Sequence, residues 1–133
     1  MAQSGATVHW VGIFDKEDDF FDFVGENPNY YEDEEDLEYK YISKFAESQG
    51  ENWIDNDCME CGFQDSNLSL TERFQDYSYS DKWIPEIERR IKQNKIDNVN
   101  SIVFVKKGEI EKPINVNQEN FSLIYLGEIE YDI

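Results

Sequence analysis

The chain has few of the residues on which most enzyme sites and structural crosslinks depend. Among its 133 residues there are one histidine, two cysteines and three prolines, and the seven glycines occur singly. Isolated glycines do not form the glycine-rich loop that binds phosphates. The one histidine, His9, lies inside an apolar run, where a histidine packed in a sheet is more common than a catalytic one. Since histidine is the usual acid–base catalyst near neutral pH, the sequence argues weakly against an enzyme.

Basic residues are scarce too, with 12 Lys and Arg against 30 Asp and Glu and a formal net charge of −18. Phosphate backbones and anionic membranes are bound by clustered basic residues, so neither nucleic acid nor a membrane is expected as a direct partner. The charge favours a cationic partner, such as a basic protein, a metal ion or a polyamine. It is also compatible with a role in solubility alone.

Long hydrophobic runs are absent as well. No stretch approaches the roughly 20 apolar residues of a membrane-spanning helix, and the opening "MAQSGATVHW" has neither the basic nor the apolar region of a signal peptide. A cytoplasmic protein is therefore expected. Aromatic residues, in contrast, make up 15% of the chain. Because disordered acidic chains are poor in aromatic residues, this content indicates a folded core. The length fits a single domain over residues 1–133, with residues 1–7 as a loose lead-in.

Hydrophobic periodicity predicts the order β-α-α-β-α-α-β-β. The apolar run 7–14 is typical of a central strand buried on both faces. A helix at 16–24 with Asp15 as N-cap, a short helix at 43–50 and an extended stretch at 52–63 are expected next. The Ser69–Glu72 capping box begins another helix, and a long helix follows at 78–96 with Ile84, Ile87 and Ile91 as its buried stripe. The last expected elements are strands at 101–107 and 121–131.

The last strand alternates strictly from Phe121 to Tyr131, which predicts one packed face. The loop between the last two strands suggests that they form an antiparallel pair. Together the elements predict an α+β fold: a mixed, mostly antiparallel sheet of about four to five strands with helices packed against it, in a single-domain sandwich.

Cys58 and Cys61 form a lone C-x-x-C, a spacing found in redox and zinc sites. There is no second cysteine pair, and the segment after Cys61 does not begin a helix, so neither site is complete. On an extended strand the two side chains would point to opposite faces. A structural role with reduced thiols is favoured, and no metal or cofactor is predicted. An enzyme that uses Cys58, Cys61 and His9 is the alternative.

Three stretches together resemble a bacterial family, the immunity protein 22 family of polymorphic toxin systems. They are "VHWVGIFDKEDDFFDFV" with Trp10, Gly12 and Phe14 in a W-x-G-x-F pattern, "SKFAESQGENWIDND", and "SLTERFQDYSYSDKWI". The resemblance spans Val8 to Ile96 and continues loosely through the last strands. It is carried by the order and spacing of the three stretches, and the chain departs from it most at Tyr30 to Tyr41 and at the C-x-x-C.

The resemblance implies a non-enzymatic protein that binds a cognate toxin domain and blocks it in the producing cell. A toxin that cleaves nucleic acid is basic over its active site, so an acidic inhibitor with aromatic anchors would complement it. A general acidic adaptor remains an alternative.

Two candidate toxin-binding faces follow from acids that lie beside aromatic residues. The first consists of Tyr30, Tyr31, Glu32, Asp33, Glu34, Glu35, Asp36 and Tyr39. The second consists of Trp53, Asp55, Asp57 and Glu60, joined by Tyr77 and Tyr79. For the aspartates, a role in a turn is equally compatible with the sequence. The sequence does not indicate an oligomeric state.

Overall fold

The computed structural model of the chain describes residues 4–28, 30, 41–65 and 68–132. Within these residues, the strands of one sheet are β1 (Ser4–Phe14), β2 (Met59–Phe63), β3 (Ser101–Lys106), β4 (Val116–Asn117) and β5 (Phe121–Asp132). The α-helices are α1 (Glu17–Val24), α2 (Lys44–Ser48), α3 (Leu70–Phe74) and α4 (Ser80–Gln93). The strand order is β2-β3-β1-β5-β4 and each neighbouring pair is antiparallel. The predicted α+β class is confirmed, and the predicted element order is found with one addition, the two-residue strand β4 in the segment predicted as a loop.

Strand β1 is the centre of the sheet and is buried on both faces, as predicted. Trp10 and Val11, which point to opposite faces, are both fully buried. The strand begins at Ser4, and residues 4–7 pair with β5. These four residues therefore belong to the sheet, although the sequence suggested a loose lead-in.

The helices cover the two faces of the sheet in pairs. Helices α1 and α2 pack on the face that contains Trp10, and α3 and α4 pack on the face that contains Val11. The first core is rich in aromatic rings, several of which meet edge to face, and the second is built around Trp83 and the predicted isoleucine stripe of α4. The sandwich therefore has three layers, with one apolar core on each side of the sheet.

The prediction that the last two long strands pair with each other was wrong. Strands β3 and β5 each pair antiparallel with β1, so they run parallel to each other on either side of it. Only the two-residue strand β4 pairs with the outer edge of β5. A 14-residue connection between Lys106 and Phe121 is long enough to reach past β1, which a tight hairpin is not.

The strict alternation predicted for β5 is interrupted by a β-bulge. His9 lies opposite Gly127 and Trp10 lies opposite Tyr125, so Leu126 is an extra residue between them. Gly127 has a φ of 107°, in the left-handed region that favours glycine. As a result, Phe121, Leu123 and Tyr125 pack towards α1 and α2, whereas Ile129 and Tyr131 pack towards α3 and α4.

Helix starts are partly as predicted. The Oγ atoms of Ser43 and Ser69 accept hydrogen bonds from the backbone N–H groups three residues on, at 3.0 and 3.1 Å. Helix α1, however, is capped by Lys16 without a side-chain bond, because the Asp15 N–H donates to Asn120 O and prolongs the sheet. Pro85, expected in or near the first turn of the long helix, lies in the second turn of α4 and is exposed.

The predicted extended stretch at 52–63 is a strand only over its last five residues. Before it, Asn56–Cys58 form a short 3₁₀ turn. Asp55 holds this turn twice, since its Oδ1 accepts from Asp57 N at 3.0 Å and its carbonyl accepts from Cys58 N at 2.9 Å. Asp55 therefore has the turn role that the sequence allowed for the aspartates. In the described part of the chain, no helix has the length and apolarity needed to cross a membrane.

Candidate functional site

Half of the second candidate face, three of its six residues, is brought together at one end of the sheet. There, Asp57, Glu60 and Tyr79 line a cleft of about 500 Å³ whose wall also includes Tyr131 and Lys106. The cleft lies where β1 and β2 begin and where β3 and β5 end. The cleft contains two carboxylates and two phenol rings but only one lysine among its lining residues, so it suits a cationic group from a partner.

Tyr79 is the most exposed aromatic residue of this cleft. Its side chain is 45% exposed and its ring centroid lies 5.5 Å from that of Tyr131. It precedes α4 with a φ of 56°, a conformation that is uncommon for a residue other than glycine. An amphipathic ring held in this way is typical of a binding anchor.

The other members of the second face are placed differently. Trp53 is 48% exposed but does not line the cleft, and Asp55 is used in the turn before β2. Tyr77 is half-buried and packs over β2 and Phe104 on the α3–α4 face. Its burial, together with the negative potential of Cys61 and Glu60, raises the pKa of its phenol. Tyr77 is therefore a packing residue that positions the turn which carries Tyr79.

Gly62 provides the space for Tyr77. A Cβ atom at Gly62 would lie 1.3 Å from the Tyr77 hydroxyl oxygen and 2.5 Å from Cζ of its ring. The sequence offers no signal for this contact, because the two residues lie on different elements.

A Gly62→Ala substitution is expected to displace Tyr77 and to destabilise the fold by about 1–3 kcal/mol, as over-packing does. Urea unfolding of the variant measures this loss. The matched control is the same substitution in a Tyr77→Ala background, where the clash is absent and the added methyl should cost little. Equal losses in both backgrounds would contradict the role assigned to this contact.

The first candidate face is visible only at its beginning. Tyr30 is partly buried against the α1–α2 core, and its N–H donates to Asn27 O at 3.0 Å. The remaining members lie outside the described residues: Tyr31, Glu32, Asp33, Glu34, Glu35, Asp36 and Tyr39.

The described residues next to that segment form a second acidic cleft, between α1 and α2. It has a volume of about 510 Å³ and includes Asp22, Glu26, Glu47 and Tyr41. Its one base, Lys44, is paired with Asp22 at 2.5 Å. These carboxylates were not selected from the sequence, although the helical periodicity of α1 already predicted that Asp22 lies away from the buried Phe20 and Phe23.

A family model described as Immunity protein 22 matches residues 8–132. The chain belongs to the Immunity protein 22 family. Comparison with curated proteins and with solved structures gave no match. Membership supports an immunity function, and it confirms the resemblance found in the sequence.

The W-x-G-x-F residues of the first stretch that resembles Immunity protein 22 are structural. Trp10 is fully buried and its indole N–H donates to Ile114 O at 2.9 Å. A Cβ atom at Gly12 would lie 2.3 Å from Ser101 Oγ and 2.8 Å from the Phe14 ring. The W-x-G-x-F pattern therefore specifies how β1 packs in this Immunity protein 22 member.

His9 is a core residue on the α3–α4 face. Its ring lies 5.0 Å from Trp83 and 5.1 Å from Phe104, and neither ring nitrogen has a hydrogen-bond partner within the described residues. Burial, and then the positive charge of Arg90, lower its pKa to about 3, while the Thr7 backbone opposes this weakly. A neutral imidazole without access to solvent is poorly suited to acid–base catalysis.

The two cysteines do not share a site with the histidine. Cys61 packs against the α1–α2 core, on the opposite face of the sheet, and Cys58 lies in the 3₁₀ turn before β2. Both thiols are free. Burial, and then Glu60, raise the pKa of Cys61 to about 11, and burial, Glu109 and Asp55 raise the pKa of Cys58. Raised values leave little thiolate at neutral pH, whereas a reactive or metal-binding cysteine needs the thiolate.

Proposed function

We propose that this Immunity protein 22 member neutralises a cognate toxin by binding its toxin domain stoichiometrically, without catalysis, in the cell that produces the toxin. The observation that carries the proposal is the family match over residues 8–132. The surface supports it, since two separate clefts of the described part of the chain each contain at least two carboxylates, at least one aromatic ring and one lysine.

The charge of the chain suggests the class of toxin. A formal net charge of −18 accelerates association with a basic partner and provides no attraction for nucleic acid itself. A nuclease domain presents a basic surface because it must bind phosphates. A basic nuclease is therefore the toxin class that we propose, with the acidic surface covering its substrate site.

The decisive experiment is co-expression with the C-terminal domain of the toxin encoded beside this gene. Cells that carry the toxin domain alone should die, cells that carry both should grow, and the two chains should elute together in gel filtration. Death of the doubly expressing cells, with no complex formed, would contradict the proposal.

A titration of the purified toxin domain separates binding from catalysis. A stoichiometric inhibitor at half an equivalent should leave about half of the toxin activity, because each chain occupies one toxin domain. An enzyme that inactivates the toxin would abolish the activity at far lower ratios, and that result would overturn the non-enzymatic part of the proposal.

A further inference from the structure

Strand β2 forms one edge of the sheet, and the register shows which of its backbone groups face outwards. Gln64 N donates to Asn100 O at 2.8 Å, which continues the pairing of β2 with β3 by one residue. Hydrogen-bonded pairs alternate along an antiparallel ladder. Glu60 and Gly62, two and four residues before Gln64, therefore direct their N–H and C=O groups towards β3.

The backbone groups of Met59, Cys61 and Phe63 consequently point away from the sheet. Within the described residues, none of these three N–H or C=O groups has a hydrogen-bond partner. Their side chains pack partly against the α1–α2 core. This arrangement holds the strand in an extended conformation and leaves one row of its hydrogen-bonding groups without a partner in the described part of the chain.

The opposite edge of the sheet, formed by β4 and β5, is partly closed by side chains. Asn115 Oδ1 accepts a hydrogen bond from Tyr125 N at 2.7 Å, and Arg90 Nη1 donates to Leu126 O at 2.9 Å and to Glu128 O at 3.1 Å. Strand β4 pairs with the segment of β5 just before these residues. Side chains and β4 thus occupy part of the outward groups of β5, up to Glu128, whereas within the described residues no group occupies the outward row of β2.

Strand β2 also lacks the usual protection of an exposed edge. Proteins discourage pairing at such edges with proline, lysine, bulges or very short strands. Met59–Phe63, "MECGF", contains neither proline nor lysine, and its register with β3 has no bulge. Five extended residues are sufficient to accept a further strand.

The charge around this edge indicates what could pair with it. From Asp55 to Asp65 there are four acids and no base. The guanidinium of Arg73 lies nearby, but it is engaged by the carbonyl oxygens of Gln64 and Val99 at 3.0 and 2.6 Å. Lys106 lines the cleft beside β2. A second copy of the chain would bring its own acidic residues close to these acids and would be repelled, whereas a basic strand would be attracted by them.

We infer that the toxin domain docks by adding an extended, basic segment to the free edge of β2, so that the sheet of the immunity protein gains a strand. Main-chain hydrogen bonds at Met59, Cys61 and Phe63 would provide the register, as in other cases of strand addition. Basic side chains on the cleft side of the added strand would meet Asp57 and Glu60. The inference rests on the proposed function and adds the mode of binding.

Amide hydrogen exchange of the free chain and of its complex with the neighbouring toxin domain tests this inference. In the free chain, the amides of Met59, Cys61 and Phe63 should exchange much faster than those of Gly62 and Gln64. In the complex, the three fast amides should slow by about tenfold or more, because each now donates a hydrogen bond.

A complex in which these three amides still exchange at their free rates would overturn the docking mode and leave the proposed function intact. Failure to form any complex would contradict the proposed function, and the inference with it. Protection that depends on the concentration of the free chain, together with a dimer in sedimentation, would show that a second copy occupies the edge and would also overturn the inference.

A proline variant provides a second test. Cys61→Pro removes an outward N–H without breaking a bond to β3, a position at which an edge strand tolerates proline. It is expected to weaken the complex about tenfold, whereas the matched variant Cys61→Val, which keeps the N–H, should bind like the wild type. The thermal midpoint of each variant checks that it folds. If the folded proline variant keeps its full affinity, the inference is wrong.

Discussion

Acidification is expected to destabilise the wild-type chain far more than a His9→Phe variant. His9 has a native pKa of about 3 against 6.5 for an unperturbed histidine. Between these values the unfolded chain binds a proton that the native chain does not. The contribution of His9 to the free energy of unfolding is therefore fully present above pH 6.5, and it falls by about 1.4 kcal/mol per pH unit below that value. Over the whole window the loss is on the order of 5 kcal/mol.

The reason for this effect is the surroundings of the imidazole. Its neighbours are the rings of Trp83 and Phe104, and the positive charge of the Arg90 guanidinium lowers its pKa further. A charged imidazole would lose hydration in this core and be repelled by Arg90. The phenylalanine ring keeps the aromatic packing and cannot bind a proton.

Urea unfolding of both proteins between pH 7.5 and 4.5 measures the effect. The 30 acidic residues titrate in both chains, so their contribution cancels in the difference between variant and wild type. The difference should be nearly constant above pH 6.5 and should then increase in favour of the variant as the pH falls. Parallel stability curves over the whole range would show that His9 is protonated in the native state or is not buried as described.

The elements that could be predicted from the sequence are those specified by nearby residues. The apolar run of β1, the serine caps of α2 and α3, and the isoleucine stripe of α4 each depend on spacings of a few residues, and all four are present. Trp83, the largest side chain of the α4 stripe, is in the same helical phase and could have been added to it.

The features that could not be predicted depend on residues distant in the chain. The placement of β1 between β3 and β5 is decided by the packing of two cores, which no local pattern encodes. The bulge at Leu126 reverses the faces of β5 midway, and its only local signal is Gly127 inside a strand. Asp15 failed as a cap because a backbone carbonyl more than a hundred residues away binds its N–H.

In the candidate site, too, features that depend on nearby residues could be predicted, and features that depend on distant residues could not. Acids and aromatic residues close together in sequence were easily selected, and Asp57, Glu60 and Tyr79 do meet in one cleft. Tyr77, two residues before Tyr79, faces the sheet because Gly62 leaves room for its ring. The open edge of β2 has no side-chain signature, because the groups that make it available are backbone atoms.

Reversing the charge of the segment from Glu32 to Asp36 is expected to slow association with the toxin domain by about 10–100-fold at low salt. Five lysines in place of these acids raise the formal net charge by ten, from −18 to −8. If this segment steers a basic partner, the association rate should fall and should lose its dependence on salt. Stopped-flow association at low and high salt measures both quantities.

The matched control reverses five exposed acids that are spread over the rest of the surface and therefore gives the same net charge. These acids are Asp76, Asp97, Glu111, Glu119 and Glu130. Dissociation rates should change little in either variant, because steering acts on the encounter rather than on the bound state. A larger loss of association rate in the segment variant than in the control would assign the steering to residues 32–36. Equal losses would assign it to the total charge, and the run of five acids would then have no particular place in binding the toxin.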